Sequence, residues 1–306
     1  MQMLRTIIIL LLSITIAPLH SAVAGQKIVR IGVGSLVEGY HSMGSQICRY
    51  ISESNEGVKC ELVPTSDSRE ALWLLHREKI DFAFTLSNLA LQSYSGKGYF
   101  VTSKPFKDMR QLLRLHDEYF TVIVRDGADV KRFADLAGMR LSNGPPKSDS
   151  SVIYKALDSY YDFKNPPIDI ELAYEDYAKK FCGGAIDAIM IMTGHPSSLV
   201  NYIAHTCRSN FITIESDKID LLLRNNPGFR KVVLESGVYP NINESHESVA
   251  VSTIFVVGKS VDEKIVANFL ERFKKEVSKF KATNPVLYDL KDSHFMSEFV
   301  LPKFKN

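Results

Sequence analysis

The feature that most limits how this chain can fold is a repeated local order: a short apolar run, a turn rich in Gly, Ser or Thr, then a stretch with helical spacing. It occurs at 28–33, where a β-branched run leads into Gly32-Val33-Gly34-Ser35. It recurs deep in the second half, where the run 185–192 ends in Thr193-Gly194-His195-Pro196. Strands alternating with helices imply a parallel sheet with right-handed crossovers. Such sheets place ligands where a strand ends and a helix begins. Two such turns, far apart in the chain, read as one from each of two α/β lobes facing a shared cleft.

The pattern between them supports that reading. Strands are expected at 28–33, 58–63 and 81–86, and helices at 42–52, 68–77 and 88–93. Two runs, 112–115 and 119–124, then follow one another with only His116-Asp117-Glu118 between them. That break in the alternation places the first crossing between lobes there. A helix at 130–136, a strand at 139–142, a helix at 152–160, a strand at 168–172 and a helix at 174–181 follow. The strand 185–192, a helix at 198–204 and a strand at 211–214 complete the second lobe. The run 249–257 crosses back, and 262–280 is a long amphipathic helix that packs on the first lobe. The expected fold class is therefore α/β, with two doubly wound lobes joined by a two-strand hinge. The lobes are 25–118 plus 250–306, and 119–249.

Residues 1–24 read as a signal peptide. Arg5 gives a positive start, 7–17 is apolar, and Ala22-Val23-Ala24 has the small-x-small pattern of a cleavage site. The apolar run is shorter than the ~20 residues that span a bilayer. The remaining chain is expected to be soluble and exported to the periplasm. Without Arg5 it has 36 basic and 35 acidic residues and no basic tract, which argues against a nucleic-acid partner. All four cysteines, Cys48, Cys60, Cys182 and Cys207, lie in this exported part, where oxidation favours pairing. Nearest-neighbour pairing gives Cys48–Cys60 and Cys182–Cys207, one of three connectivities. A zinc site is the rival, but no C-x-x-C spacing or flanking histidine supports it.

Gly32-Val33-Gly34-Ser35-Leu36-Val37 fails the dinucleotide fingerprint because Val37 fills the third glycine position. It still offers amides and the Ser35 hydroxyl to an anionic group at a helix start. Thr65-Ser66-Asp67-Ser68 repeats the device, with Asp67 or Ser68 as the helix cap. Arg69 in the first helical turn opposes the helix dipole, which makes it a candidate clamp for a carboxylate. Ser87 and Asn88 close the third strand and open the next helix. His195, followed by proline at a helix start, sits at a lobe edge and has a candidate binding role. Catalytic motifs are absent: there is no G-x-S-x-G, H-E-x-x-H or Walker loop. A Ser35/His195/Asp187 triad fails because Asp187 begins the strand whose far end carries His195. No enzyme activity, cofactor or metal is expected.

Five segments together resemble the TAXI-type solute receptors of TRAP transporters. They are IGVGSLVEGYHSMGSQICRYI (31–51), KIDFAFTLSNLALQSYSGKG (79–98), LRLHDEYFTVIVRDGADVKRFADLAGMRLSNGPPKS (113–148), FCGGAIDAIMIMTGHPSSLVNYIAHTC (181–207) and Gly237-Val238-Tyr239-Pro240. The resemblance implies a type II periplasmic binding protein fold whose lobes close over a small carboxylate, such as glutamate or 2-oxoglutarate, or an amino acid. The loaded form would deliver it to a membrane permease. Carried over by position, the cleft would include Ser35, Tyr40, Thr65, Ser66, Ser87, Ser148, His195 and Tyr239. The cysteines also fall where some members of that family have them. Several turns depart from the family pattern. Its S-T-G-G-S reads Thr65-Ser66-Asp67-Ser68-Arg69 here, its Q-S-D reads Leu86-Ser87-Asn88, and its P-G-S-G reads Pro146-Lys147-Ser148-Asp149. These changes alter the donors and bulk of the cleft. They also fit an alternative, an exported surface antigen or adhesin that keeps the receptor fold but binds a protein.

Overall fold

The computed structural model describes residues 26–34, 40–127, 129–240 and 242–304. The expected signal peptide and Ser35 lie outside the described residues. The chain folds into a mixed α/β structure around a ten-stranded sheet, with eight α-helices among the described residues. Strand β1 (Lys27–Val33) is flanked in parallel by β2 (Val58–Pro64) and β3 (Phe82–Leu86). Helices α1 (Tyr40–Ser54), α2 (Ser68–His76) and α3 (Ser87–Ser95) connect and follow them. Each forms for a local reason. In α1 the apolar residues Met43, Ile47, Tyr50 and Ile51 share one buried face. At α2 the Asp67 carboxylate accepts from the amides of Arg69 and Glu70, both at 2.8 Å. Helix α3 stops at Gly96, whose φ of 64° suits a residue without a Cβ.

Two long antiparallel strands carry the sheet through the middle of the molecule. Strand β4 is Arg110–Arg125 and β10 is His246–Val257. At one end β10 pairs with β3; along its length it pairs with β4; at its other end it pairs with β9 (Phe229–Leu234). The far part of β4 pairs with β7 (Ala188–Thr193) and β8 (Ser209–Phe211). The parallel strands β5 (Arg140–Ser142) and β6 (Ile168–Asp169) continue outward from β7. Where β4 and β10 cross, the register shifts: Asp117 opposes Ser252 and Arg114 opposes Ile254, so Leu115 and His116 stand opposite Thr253 alone. This is a β-bulge, which raises local twist and re-aims side chains.

Helices α4 (Asp149–Asp158), α5 (Tyr177–Cys182), α6 (Ser198–Thr206) and α7 (Ser216–Asn225) cover the second half of the sheet. Helix α8 (Glu263–Ala282) returns to the first half and buries Ile265, Val266, Phe269, Leu270, Phe273, Val277 and Phe280. Its aromatics continue a stack from the sheet, with Phe82 5.6 Å from Phe255 and Phe255 5.9 Å from Phe269.

Several expectations change. The runs 112–115 and 119–124 form one strand, because His116, Asp117 and Glu118 keep the β4 ladder through the bulge. The helix expected at 130–136 is only a 3₁₀ turn at Phe133–Leu136. Asp135 takes the amides of Lys131 and Arg132 at its start, and Gly138 at φ 71° ends the segment. The strand expected at 168–172 shortens to Ile168–Asp169, which matches only two residues of β5. The strand expected at 211–214 moves to Ser209–Phe211, where it meets the end of β4. The helix expected at 174–181 begins as a 3₁₀ turn, Tyr174–Asp176, before α5. Helix α7 and strand β9 were not expected.

Both disulfides join the nearest cysteines: Cys48–Cys60 ties α1 to β2, and Cys182–Cys207 ties α5 to the end of α6. Closing a short loop in the unfolded chain removes about 3 kcal/mol of its entropy. Replacing Cys48 and Cys60 together by alanine is therefore expected to lower the unfolding free energy by about 3 kcal/mol, read from urea titrations, with a steeper slope because the unfolded chain is less constrained.

Candidate functional site

The ends of β2 and β3 and the start of α1 face the β5–α4 and β7–α6 turns. One contact bridges these two sets and two others tie them to the crossing strand β4. The Arg69 guanidinium of α2 donates to the Lys147 carbonyl of the β5–α4 turn. The Tyr40 hydroxyl of α1 donates to Glu118 on β4. A Cβ built on Gly194 in the β7–α6 turn would lie 2.4 Å from His116, so only glycine lets that turn approach the crossing strand.

The residues singled out from the sequence fall into two groups. Tyr40, Thr65, Ser87 and Ser148 lie at helix starts and strand ends. Tyr40 is buried, 3.1 Å from the Thr253 hydroxyl and stacked 5.5 Å from Phe84. Thr65 is buried and its hydroxyl has no partner. Ser87 is buried in the first turn of α3. Ser148 caps α4 by accepting from the Ser151 amide, and its hydroxyl lies 3.2 Å from that of Ser150. Arg69 is half-buried; it also pairs with Asp67 and lies 5.0 Å from the Tyr99 ring centre.

The second group bonds among its own members or nearest neighbours. Ser66 is exposed, and its amide and hydroxyl both donate to Glu70, at 2.6 and 2.7 Å. His195 Nε2 lies 2.8 Å from the Thr121 hydroxyl and Nδ1 lies 2.6 Å from the Tyr239 hydroxyl. Tyr239 accepts from the Ser197 amide at 2.6 Å. Both ring nitrogens of His195 are thus engaged, and burial lowers its pKa to about 3. Asp187 is held by Arg140 at 2.6 Å, at the opposite end of β7 from His195.

The sequence reading gave no role to Glu118, His116 or Asp149, whose pKa values burial displaces. Glu118 is buried on β4 and, among the described residues, bonds to the hydroxyls of Tyr40 and Thr253. Burial raises its pKa to about 8; the Tyr40 bond opposes the rise, and the Asp149 charge adds to it. His116 Nε2 lies 3.8 Å from the Glu118 carboxylate, and burial, reinforced by His294, lowers the His116 pKa to about 4. Asp149, the first residue of α4, is raised to about 6 by burial, with Arg69 pulling it down and Asp67 pushing it up. A usable signal existed for the pair on β4. His116 and Glu118 are two apart between apolar runs, the spacing that puts both on one face of a strand.

A second observation marks the same region. Among the described residues, eight buried side-chain polar atoms have no hydrogen-bond partner. Five belong to the strand ends and the crossing: Thr65 Oγ1, Asn88 Oδ1, His116 Nδ1, Ser142 Oγ and Asn143 Nδ2. An unpaired buried donor or acceptor costs about 1–3 kcal/mol, so their concentration makes this region the candidate site. A cavity of about 200 Å³ lies beside the crossing, lined in part by Ser42, Met43, His116, Gly194, Ser197 and Asn284; of the five residues above, its lining includes His116. Three larger hollows, of about 450, 520 and 370 Å³, lie beside Lys131 and Asn243, beside Lys259 and Lys303, and beside Lys281 and Tyr288, away from these atoms. Their size alone gives them no chemistry.

Because native Glu118 holds its proton to about pH 8 while the unfolded chain releases it near pH 4.5, the folded state binds more protons in that window. Stability is therefore lost as pH rises from about 4.5 to 8. Glu118→Gln is expected to flatten that slope and to exceed the wild type by more than about 1.4 kcal/mol at pH 8, the worth of one pKa unit. Chemical denaturation at pH 5 and pH 8 checks this.

Among solved structures, this chain is similar to one from work on glutathione import via GshT and the cystine ABC importer TcyBC of Streptococcus mutans. That match has 9% identity, covers 85% of this chain and 95% of that one, and has a TM-score of 0.52. It is also similar to XAC2383 from Xanthomonas citri bound to chloride ion, at 14% identity, 86% and 89% coverage, and a TM-score of 0.49. A third is the periplasmic aliphatic sulphonate binding protein SsuA from Escherichia coli, at 15% identity, 88% and 81% coverage, and a TM-score of 0.48. The fold is that of the type II periplasmic binding proteins. Residues 31–303 match the model of the NMT1-like family, and the chain belongs to that family.

Proposed function

We propose that this protein is the solute-binding receptor of a TAXI-type TRAP transporter, exported to the periplasm. It captures a small carboxylate, such as glutamate or 2-oxoglutarate, and delivers it to a membrane permease. In this reading 25–118 plus 250–306 forms one lobe, 119–249 forms the other, and β4 and β10 are the hinge. The observation that carries it is the set of unpaired buried polar atoms on facing strand ends, at Thr65 and Asn88 on one side and Ser142 and Asn143 on the other. A solute that bonded both sides would favour the closed arrangement by its differential contacts. Tyr40, Thr65, Ser87 and Ser148 would supply hydroxyls. Arg69, already reaching the Lys147 carbonyl, would hold a carboxylate across the gap. His195 and Tyr239 would buttress the β7–α6 turn. The protein would do no chemistry on its solute.

Native mass spectrometry of freshly purified protein is expected to show a small retained acid. Adding a dicarboxylate at one hundred times its Kd is expected to stabilise the fold by about 2.7 kcal/mol, seen as a higher melting temperature. If no small molecule shifts the melt and a host protein binds instead, the adhesin reading replaces this one. Arg69→Ala is expected to weaken the acid at least tenfold, about 1.4 kcal/mol, while its ligand-free melting temperature stays put. Unchanged affinity in calorimetry would remove Arg69 from the site.

A further inference from the structure

We propose that Arg69, aimed by Asp67, is a clasp that fastens the two lobes to each other at one mouth of the cleft and holds it shut before a solute is taken up. The division into lobes rests on the receptor reading above, and the clasp goes beyond it by assigning closure to the chain's own groups. Asp67 and Arg69 stand at the start of α2 in one lobe. Lys147 and Asp149 stand where the β5–α4 turn enters α4 in the other.

The two carboxylate oxygens of Asp67 have separate roles. Oδ1 caps α2, accepting from the amides of Arg69 and Glu70 at 2.8 Å. Oδ2 accepts from the Arg69 guanidinium, from Nε at 3.1 Å and from Nη2. The ring of Tyr99, in the 3₁₀ turn Gly98–Phe100 that follows α3, has its centre 5.0 Å from the guanidinium carbon. A long side chain with many rotamers is thereby held in one. In that one, Nη2 donates across the gap to the Lys147 carbonyl. Two observations on the far side fit this contact. Lys147 has a φ of 67°, a left-handed backbone that costs a residue with a Cβ and persists where its surroundings over-determine it. Asp149, the first residue of α4, attracts the guanidinium through its negative charge. These four positions are also where the two turns depart from the TAXI pattern, which has glycine at 67, 147 and 149 and serine at 69. The departures on one side therefore meet the departures on the other. Every partner is a group of the chain itself, so the contact favours closure without a solute. Loss of one such charge-assisted bond changes the ratio of closed to open forms by about tenfold.

Small-angle X-ray scattering of the full exported chain tests this, after dialysis until native mass spectrometry shows no retained acid. The wild type is expected to scatter as the closed arrangement with Arg69 on Lys147. Arg69→Ala and Asp67→Asn are each expected to raise the radius of gyration while the melting temperature stays put. Asparagine keeps an oxygen to cap α2 but cannot pair ionically with the guanidinium, so it breaks the clasp and spares the helix. An expanded wild type overturns the clasp even if neither variant folds. Variants as compact as the wild type overturn it too, and an expanded Arg69→Ala beside a compact Asp67→Asn overturns the aiming role of Asp67. The receptor reading is judged separately, by adding glutamate or 2-oxoglutarate in excess. Compaction of an expanded wild type by either acid overturns the clasp and leaves the receptor standing. Expanded variants that neither acid compacts leave the clasp standing and remove the carboxylate solute. If every form is compact, the clasp fails, and the melting shift with dicarboxylate decides the receptor.

Discussion

The β4–β10 ladder is the constraint on which the rest of the structure depends. These two strands join both halves of the sheet, so their backbone bonds must continue through the centre of the molecule. Yet the centre of β4 carries Arg114, His116, Asp117 and Glu118 in place of apolar residues. Backbone pairing tolerates any side chain, but burial does not, and each charge needs its own compensation. The bulge at Leu115-His116 divides the four between two surroundings. Arg114 and Asp117 reach Arg230, Ser252 and Glu298 and form a compensated ionic cluster. His116 and Glu118 turn toward Tyr40, Thr253 and the β7–α6 turn, where the Tyr40 and Thr253 hydroxyls bond Glu118. One irregularity in one ladder thus provides both a fastened face and an unsatisfied one.

How much of this was legible in the sequence follows from which physical terms are local. Strands β1, β2 and β3 and helices α1, α2 and α8 could be read because apolar spacing fixes their buried faces. Phe82-Ala83-Phe84-Thr85-Leu86 is buried at every position, and a continuous apolar run announces that. The single strand β4 was misread because a polar triplet inside a strand looks like a loop until its partner is known. Only pairing with β10 reveals it. Strand β9 and helix α7 escaped for a related reason: β9 buries only Leu234 fully, and α7 only Ile219 and Leu222, so neither shows a clear stripe. The short β5 and β6 are held by neighbours rather than by any run of their own.

The site shows the same division. Turn residues stood out because Gly, Ser and Thr between a strand and a helix have a local meaning, and Tyr40, Thr65, Ser87 and Ser148 do lie at such ends. His195 stood out equally, but whether a histidine is open or closed depends on what reaches it. Here Thr121, 74 residues away, and Tyr239, 44 away, take both its nitrogens. Glu118 is the converse case. Its environment is set by Tyr40, 78 residues away, and Thr253, 135 away, and no window of sequence contains all three.

These long-range choices also explain how an NMT1-like chain can share a fold at 9% identity with a distant structure while its cleft departs from the TAXI pattern. The ladder needs only β-compatible backbone and apolar faces, which many sequences satisfy. The cleft needs particular donors and acceptors, and those change freely because they contribute little to the core. Five unpaired polar atoms on the cleft walls together cost on the order of 5–15 kcal/mol if left dry, comparable to a whole domain's stability. Such walls therefore persist only if something polar completes them, water in an open cleft or a solute in a closed one.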